Sequence, residues 1–229
     1  LVQEGAELAY LLRHDPELRR VRKSDLVEVG RRVRLKRNID LLMRILEHGI
    51  DGYRFEFFVV SAAPEEVVRS ALEGIVPPDH VIGTRFSYDP ETAEIDGVLS
   101  VSAGYGKVAT VDALRDRLGI PRDRVTYVGD GTSDIHVMLH VQRGDGLTIA
   151  VSQARFIAQI ARRTVITDDA LGVLVPVLEE VAGWEPSRIR ALLEEYGLLI
   201  QDWDRGRTDW LTFRSSDAPQ SLAIEATGV

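Results

Sequence analysis

The sequence predicts an α/β fold with a doubly wound parallel sheet, and three observations carry that prediction. From residue 55 onward, strand-like and helix-like stretches alternate along the chain. The strand-like stretches are short apolar runs: Phe55–Val60, Val125–Val128, Leu147–Val151 and Thr164–Thr167. Each is followed by a stretch with helical spacing, and that βαβα order builds a parallel sheet covered by helices.

Residues 1–52 read as helical throughout. Ala6, Leu8, Ala9, Leu11 and Leu12 fit a first amphipathic helix that breaks at His14-Asp-Pro16. Asp25 to Arg37 fits a basic second helix, with Leu26, Val29 and Val33 at helical spacing. Asn38 to His48 fits a third, with Ile39, Leu42, Met43, Ile45 and Leu46 on one face and Gly49 as its stop. After the run ending at Ser61, a helix is predicted from Pro64 to Gly74. Val81–Tyr88 and Ile95–Val101 then read as two strands around a break at Asp89-Pro90. A helix follows from Lys107, and another follows Asp134. Ala154–Arg163 and two stretches beyond residue 170, Leu171–Val181 and Pro186–Tyr196, also read as helical. A polar tail ends the chain, and Trp184, Trp203 and Trp210 are expected to pack it onto the core or onto a second subunit.

At 229 residues, with 45% hydrophobic and 28% charged residues, the chain suffices for one sizeable α/β core with a modest insert. A net charge of −8 argues against a general nucleic-acid binder. The absence of cysteine excludes disulfides, thiol catalysis and cysteine-based zinc sites. No apolar run approaches the roughly 18 residues a membrane span needs, and no signal-peptide pattern stands at the start. A cytoplasmic protein is the expectation.

The chemistry concentrates in Val125-Thr-Tyr-Val-Gly-Asp-Gly-Thr-Ser-Asp134. A short strand ends at Gly129 in an acidic turn, so its polar residues stand at the carboxyl edge of the sheet, where ligands bind in open α/β folds. Asp130 and Asp134 are hard oxygen donors four residues apart, a set that suits Mg²⁺. A plain strand-turn-helix junction, with Asp134 as helix cap, explains the same residues. Two further polar residues stand at comparable places: Ser61 ends an apolar strand, and Lys107 opens a helix after Gly104-Tyr-Gly106. Gly104-x-Gly-Lys107 is not a phosphate loop, since Val101 stands where its first glycine belongs and Val108 where Ser or Thr belongs.

A strand-end Ser, a helix-start Lys and a strand-end Gly-Asp-Gly-x-Ser-Asp, in that order, resemble the haloacid-dehalogenase (HAD) superfamily, most closely its phosphoserine-phosphatase-like branch. Ser61 matches the second motif, Lys107 the third, and Asp130 with Asp134 the fourth. The resemblance runs from about residue 55 to about residue 169. It implies a HAD-like Rossmannoid core over 53–169, a small helical cap insert over 1–52, and a helical C-terminal extension over 170–229 packed on the core. It also implies an Mg²⁺-dependent phosphomonoesterase that acts on a small phosphorylated metabolite through an aspartyl-phosphate. In that scheme Asp130 and Asp134 serve the metal, with Asp134 orienting metal-bound waters or Lys107. Ser61, the Ala62 amide, Lys107 and Ser133 contact the phosphate, and Ser133 stands where the branch often has Asn. The cluster Arg31, Arg32, Arg34, Lys36 and Arg37 reads as a solvated helix face or as an anion contact.

The family's first motif, Asp-x-Asp-x-Thr or Val with the nucleophilic Asp, has no match in the first 60 residues. Asp202-Trp-Asp-Arg-Gly-Arg-Thr208 imitates it, but the Thr comes two positions late. Leu1-Val2 would follow directly on an Asp-x-Asp-Gly-Thr, so the nucleophile is expected just upstream of Leu1. The competing expectation is a non-catalytic HAD-like protein that binds a phosphorylated ligand or a protein partner. No membrane or nucleic-acid partner is expected, and a homodimer is compatible with the tail.

Overall fold

The computed structural model describes residues 20–152, 154–204 and 208–215, with scattered positions between 8 and 18. Of the first expected helix, Leu8, Leu11 and Leu12 are described and helical, whereas Ala6 and Ala9 lie outside the described residues.

Helix α1 (Lys23–Arg31) starts where the Asp25 carboxylate accepts a hydrogen bond from the Arg22 amide at 2.8 Å, satisfying an end-of-helix donor. It is shorter than the expected 25–37 stretch. At Gly30 a Cβ would sit 2.4 Å from the Val67 carbonyl oxygen, so only glycine lets α1 cross the helix that follows Ser61 this closely. Helix α2 (Ile39–His48) ends at Gly49, whose φ of +82° is open to glycine. Next come β1 (Val59–Pro64), α3 (Glu65–Ala71), β2 (Val81–Tyr88), β3 (Ile95–Ser100) and α4 (Tyr105–Leu118). The second half of the core holds β4 (Thr126–Gly129), α5 (Ile135–Arg143), β5 (Leu147–Ala150), α6 (Arg155–Ile160) and β6 (Arg163–Ile166). A 3-10 turn at Ala170–Val173 runs into α7 (Leu174–Glu180), where Pro176 is tolerated in the first turn. Helix α8 (Pro186–Glu195) and the strands β7 (Leu198–Asp204) and β8 (Thr208–Ser215) close the chain.

The strands form two sheets. One has the order β1-β2-β3, with β1 parallel to β2 and β3 antiparallel to it. The other has the order β4-β5-β6-β8-β7, parallel except for β7. Alternate residues of a strand point to opposite faces, and β5 shows the consequence. Leu147 and Ile149 join a cluster with Leu42, Leu174, Leu178, Ile189 and Leu193, whereas Ala150 joins Tyr127, Val137, Met138 and Ile157. Helices α2, α7 and α8 therefore cover one face, and α4, α5 and α6 the other. This is the doubly wound α/β arrangement that the alternation predicted.

Two expectations need correction. Leu198–Asp204 and Thr208–Ser215 are a strand pair and not part of a helical, polar tail, because β8 finds its partner in β6, some forty residues earlier. No periodicity within Gln201-Asp-Trp-Asp204 announces that pairing. The insert expected over 1–52 also does not pack as one unit. Leu42, Met43 and Ile45 of α2 are buried, and Leu42 and Ile45 belong to the main core cluster. Met43 faces a second cluster with Leu72, Val76 and Val81, whereas among the described residues α1 packs on α3.

Candidate active site

The candidate site residues stand at the carboxyl end of β4, at the start of α4 and within β1, where Ser61 is the third residue of the strand Val59–Pro64 and not its end. After β4 the chain turns at Gly129 into a 3-10 turn, Thr132–Asp134, that feeds α5. That turn folds Asp134 back over the strand end. A Cβ on Gly129 would meet the Asp134 Cβ at 2.7 Å and Cγ at 2.8 Å, so the glycine is a steric requirement of the motif.

Asp134 is 3% exposed and receives four donors. Lys107 Nζ donates to Oδ1 at 2.5 Å and Tyr127 OH donates to the same oxygen at 2.7 Å. The amides of Asp130 and Gly131 donate to Oδ2, each at 3.1 Å. Burial by itself would push this carboxyl up. The bonds from Lys107 and Tyr127, the Lys107 charge and the Gly131 amide outweigh it and hold the group below the ordinary carboxylate range. Tyr127 moves the other way: burial, then the Asp134 charge, raises its phenol above the usual value. Lys107 is itself 5% exposed, so the pair is a buried ion pair with its hydrogen bonds largely satisfied.

Asp130 differs from Asp134 in every respect that matters for a ligand: it is exposed, and its side chain stands outside this network. Ser133 is half-buried in the turn between them.

Ser61 lies in the other sheet. Its Oγ accepts a hydrogen bond from the Ala63 amide at 3.2 Å, which leaves the hydroxyl proton free to donate outward. The Ser61 and Lys107 segments are tied together by two buried residues that sequence reasoning missed. Thr84 Oγ1 donates to the Ala62 carbonyl at 2.7 Å and accepts from the Ser102 amide at 3.3 Å. Ser102 Oγ in turn donates to the Gly83 carbonyl at 3.0 Å. Gly104, with φ of +49°, then turns the chain into α4 and delivers Lys107. Tyr127 was missed as well, because a tyrosine inside an apolar run reads as core.

The basic cluster resolves mostly into local pairs. Arg31 and Arg32 pair with Glu28, Lys36 Nζ donates to the Thr167 carbonyl at 2.8 Å, and Arg37 pairs with Asp168 at 2.8 Å. Arg34 is exposed. Asn38 Nδ2 donates to the buried Asp169 at 2.6 Å, so residues 36–38 clamp the loop after β6.

Among the described residues, no group of three or more His, Cys, Asp or Glu is placed to hold a metal. The donor set nevertheless fits one Mg²⁺ of the kind that takes one or two carboxylates and completes its shell with water and substrate oxygens. Asp130 is the open carboxylate, whereas both oxygens of Asp134 are engaged. No helix among the described residues is long and apolar enough to cross a membrane.

The family described as haloacid dehalogenase-like hydrolase matches residues 13–139. A solved structure, that of a gene product from Archaeoglobus fulgidus, is similar in fold, with a TM-score of 0.57 at 16% identity over 84% of this chain and 75% of that one. No curated protein matches the chain in sequence. With more than half of the 229 residues matched, and with Lys107, Asp130 and Asp134 set around one strand end, the chain belongs to the haloacid dehalogenase-like hydrolase family.

Proposed function

We propose that this hydrolase is an Mg²⁺-dependent phosphomonoesterase for a small phosphorylated metabolite. The observation that carries the reading is the buried Lys107–Asp134 pair beside the open Asp130 carboxylate. It supplies a fixed positive charge, and the exposed Asp130 carboxylate would offer a metal an oxygen at the same sheet edge. Phosphoryl transfer asks a protein mainly for positioning and charge neutralisation, which these groups supply.

Ser61 Oγ–H and the Ala62 amide would donate to phosphate oxygens, and Ser133 would add a short donor from the opposite side. Lys107, held in place by Asp134 and Tyr127, would place its ammonium against the phosphate. Asp130 would hold Mg²⁺, which supplies charge neutralisation at the phosphoryl oxygens when bound. The nucleophile would be an Asp upstream of Leu1. Its carboxylate attacks phosphorus, the ester P–O bond breaks, and the alcohol leaves with a proton from a second carboxylate. Water then attacks the aspartyl-phosphate, releasing inorganic phosphate and restoring the Asp.

The test is hydrolysis of p-nitrophenyl phosphate by the whole polypeptide, upstream residues included. Asp130→Asn should abolish Mg²⁺-dependent turnover while leaving the far-UV circular dichroism unchanged. Undiminished turnover would remove Asp130 from the metal. A folded, Mg²⁺-insensitive protein with no turnover on any phosphate ester would favour the non-catalytic, ligand-binding alternative.

A further inference from the structure

Two exposed rings stand at the helix starts that frame the site. Tyr105 opens α4, and His136 lies in the first turn of α5. Their centroids are 4.3 Å apart and their planes 22° from parallel, so the rings are stacked. Tyr105 is nevertheless 58% exposed, and His136 is exposed as well. Each ring covers one face of the other, so this exposure falls on the outer faces and edges. Among the described residues, no hydrogen bond ties the Tyr105 hydroxyl or the His136 ring to the fold. The Phe58–His80 stack differs, since both of its rings are half-buried and His80 Nδ1 lies 2.9 Å from the Phe57 carbonyl oxygen.

The buried ion pair brings these rings to the site. Lys107 comes two residues after Tyr105, Asp134 two residues before His136, and their bond draws the two helix starts together. Asp134 follows the carboxyl end of β4, so both starts stand at that edge. Side chains in a helix lean toward its amino end, which carries both rings toward the level of the site. Two residues span about 200° around a helix of 3.6 residues per turn. Lys107 therefore points inward, where it is buried, while Tyr105 faces outward. A ligand that meets both must hold its anionic group and its flat ring apart by a spacer.

We propose that the Tyr105–His136 stack is a platform for the base of a nucleoside monophosphate, the substrate class that joins a phosphate to a flat ring through a sugar. The assignment rests on the phosphatase reading and narrows it. The phosphate goes to Lys107 and Asp130, the ribose leads outward, and the base extends the stack by one ring. Every base has a π face, so the platform selects a ring and not one particular base. Hydrolysis breaks the ester P–O bond, and the nucleoside leaves as the alcohol. A net charge of −8 disfavours a longer nucleic acid on the same rings.

Steady-state kinetics of the whole polypeptide on AMP and on ribose 5-phosphate, which lacks the base, tests the platform. Wild type should favour AMP in kcat/KM. The ratio of the two kcat/KM values should fall about tenfold in Tyr105→Ala and stay within about twofold in Tyr105→Phe, which keeps the ring. A purely structural loss would lower both substrates together and leave the ratio alone. A wild type that treats the two esters alike, or a ratio that survives Tyr105→Ala, overturns the platform. Where Tyr105→Ala does not fold, His136→Ala removes the other ring of the stack and is read in the same way. Should no phosphate ester be hydrolysed, the phosphatase reading fails by itself, and titration calorimetry with the same two compounds decides. Tighter binding of AMP that Tyr105→Ala removes upholds the platform on a binding protein, whereas equal or absent binding overturns it.

Discussion

Lys107 Nζ and Asp134 Oδ1 lie 2.5 Å apart in a region almost closed to water, Lys107 from the first turn of α4 and Asp134 from the 3-10 turn that leads into α5. The pair joins the helix after Gly104 to the turn after Gly129. It gives the lysine one orientation, and it commits both Asp134 oxygens to protein donors.

Removing one member should therefore cost more than removing both. Asp134→Ala leaves an ammonium buried without its counter-charge, a loss of about 3–5 kcal/mol. Lys107→Met combined with Asp134→Leu should recover a large part of that loss, and neither variant should hydrolyse phosphate esters. Urea unfolding midpoints of the single and double variants check the ordering.

Gly129→Ala tests the turn without touching a charged group. The added methyl carbon would lie 2.7–2.9 Å from three Asp134 atoms, so Asp134 and with it Lys107 must shift. A stability loss of about 1–3 kcal/mol is expected from overpacking. Turnover should fall on the order of 10²-fold through misplacement. Thermal unfolding and initial rates measured side by side separate the two effects.

Tyr127→Phe changes the pH dependence in a defined direction. The folded-state pKa of Asp134 lies below its ordinary value, so its contribution to stability is present above the ordinary carboxylate range. That contribution is lost as pH falls through the depressed value. Without the Tyr127 bond the folded value rises, and the acid limb of the stability curve should move to higher pH. At the alkaline end the order reverses. The raised phenol makes the folded wild type lose stability as pH climbs above 10.0, the ordinary value for tyrosine, and the Phe variant should escape that loss. Chemical denaturation from pH 3 to 11 reads both limbs.

Thr84→Val removes the hydroxyl that links the Ser61 and Lys107 segments. The Ala62 carbonyl loses a donor and the Ser102 amide an acceptor, at a cost of about 1–3 kcal/mol for buried groups left unpaired. Arg85→Ala, at an exposed position of the same strand, should stay within about 0.5 kcal/mol. Equal effects at both positions, read from urea titrations, would show that Thr84 has no special part in joining the segments.

The sequence by itself determined the α/β class and the identity of the polar groups at the sheet edge. Strand runs, Gly-rich turns and helix starts are local signals, and each is written within about ten residues of Ser61, Lys107 or Asp134. Tertiary structure alone decided which groups touch. Asp134 reads as a metal carboxylate until Lys107, Tyr127 and two backbone amides are seen to occupy its oxygens. Thr84 and Ser102 carry no local signature, because their value lies in hydrogen bonds to residues brought near by strand pairing. The same holds for α2, whose apolar face could have served a cap as well as a core. It also holds for β7 and β8, whose partners are distant in sequence. Local propensity is fixed by neighbours along the chain, whereas side-chain satisfaction and sheet pairing depend on residues that only folding makes neighbours.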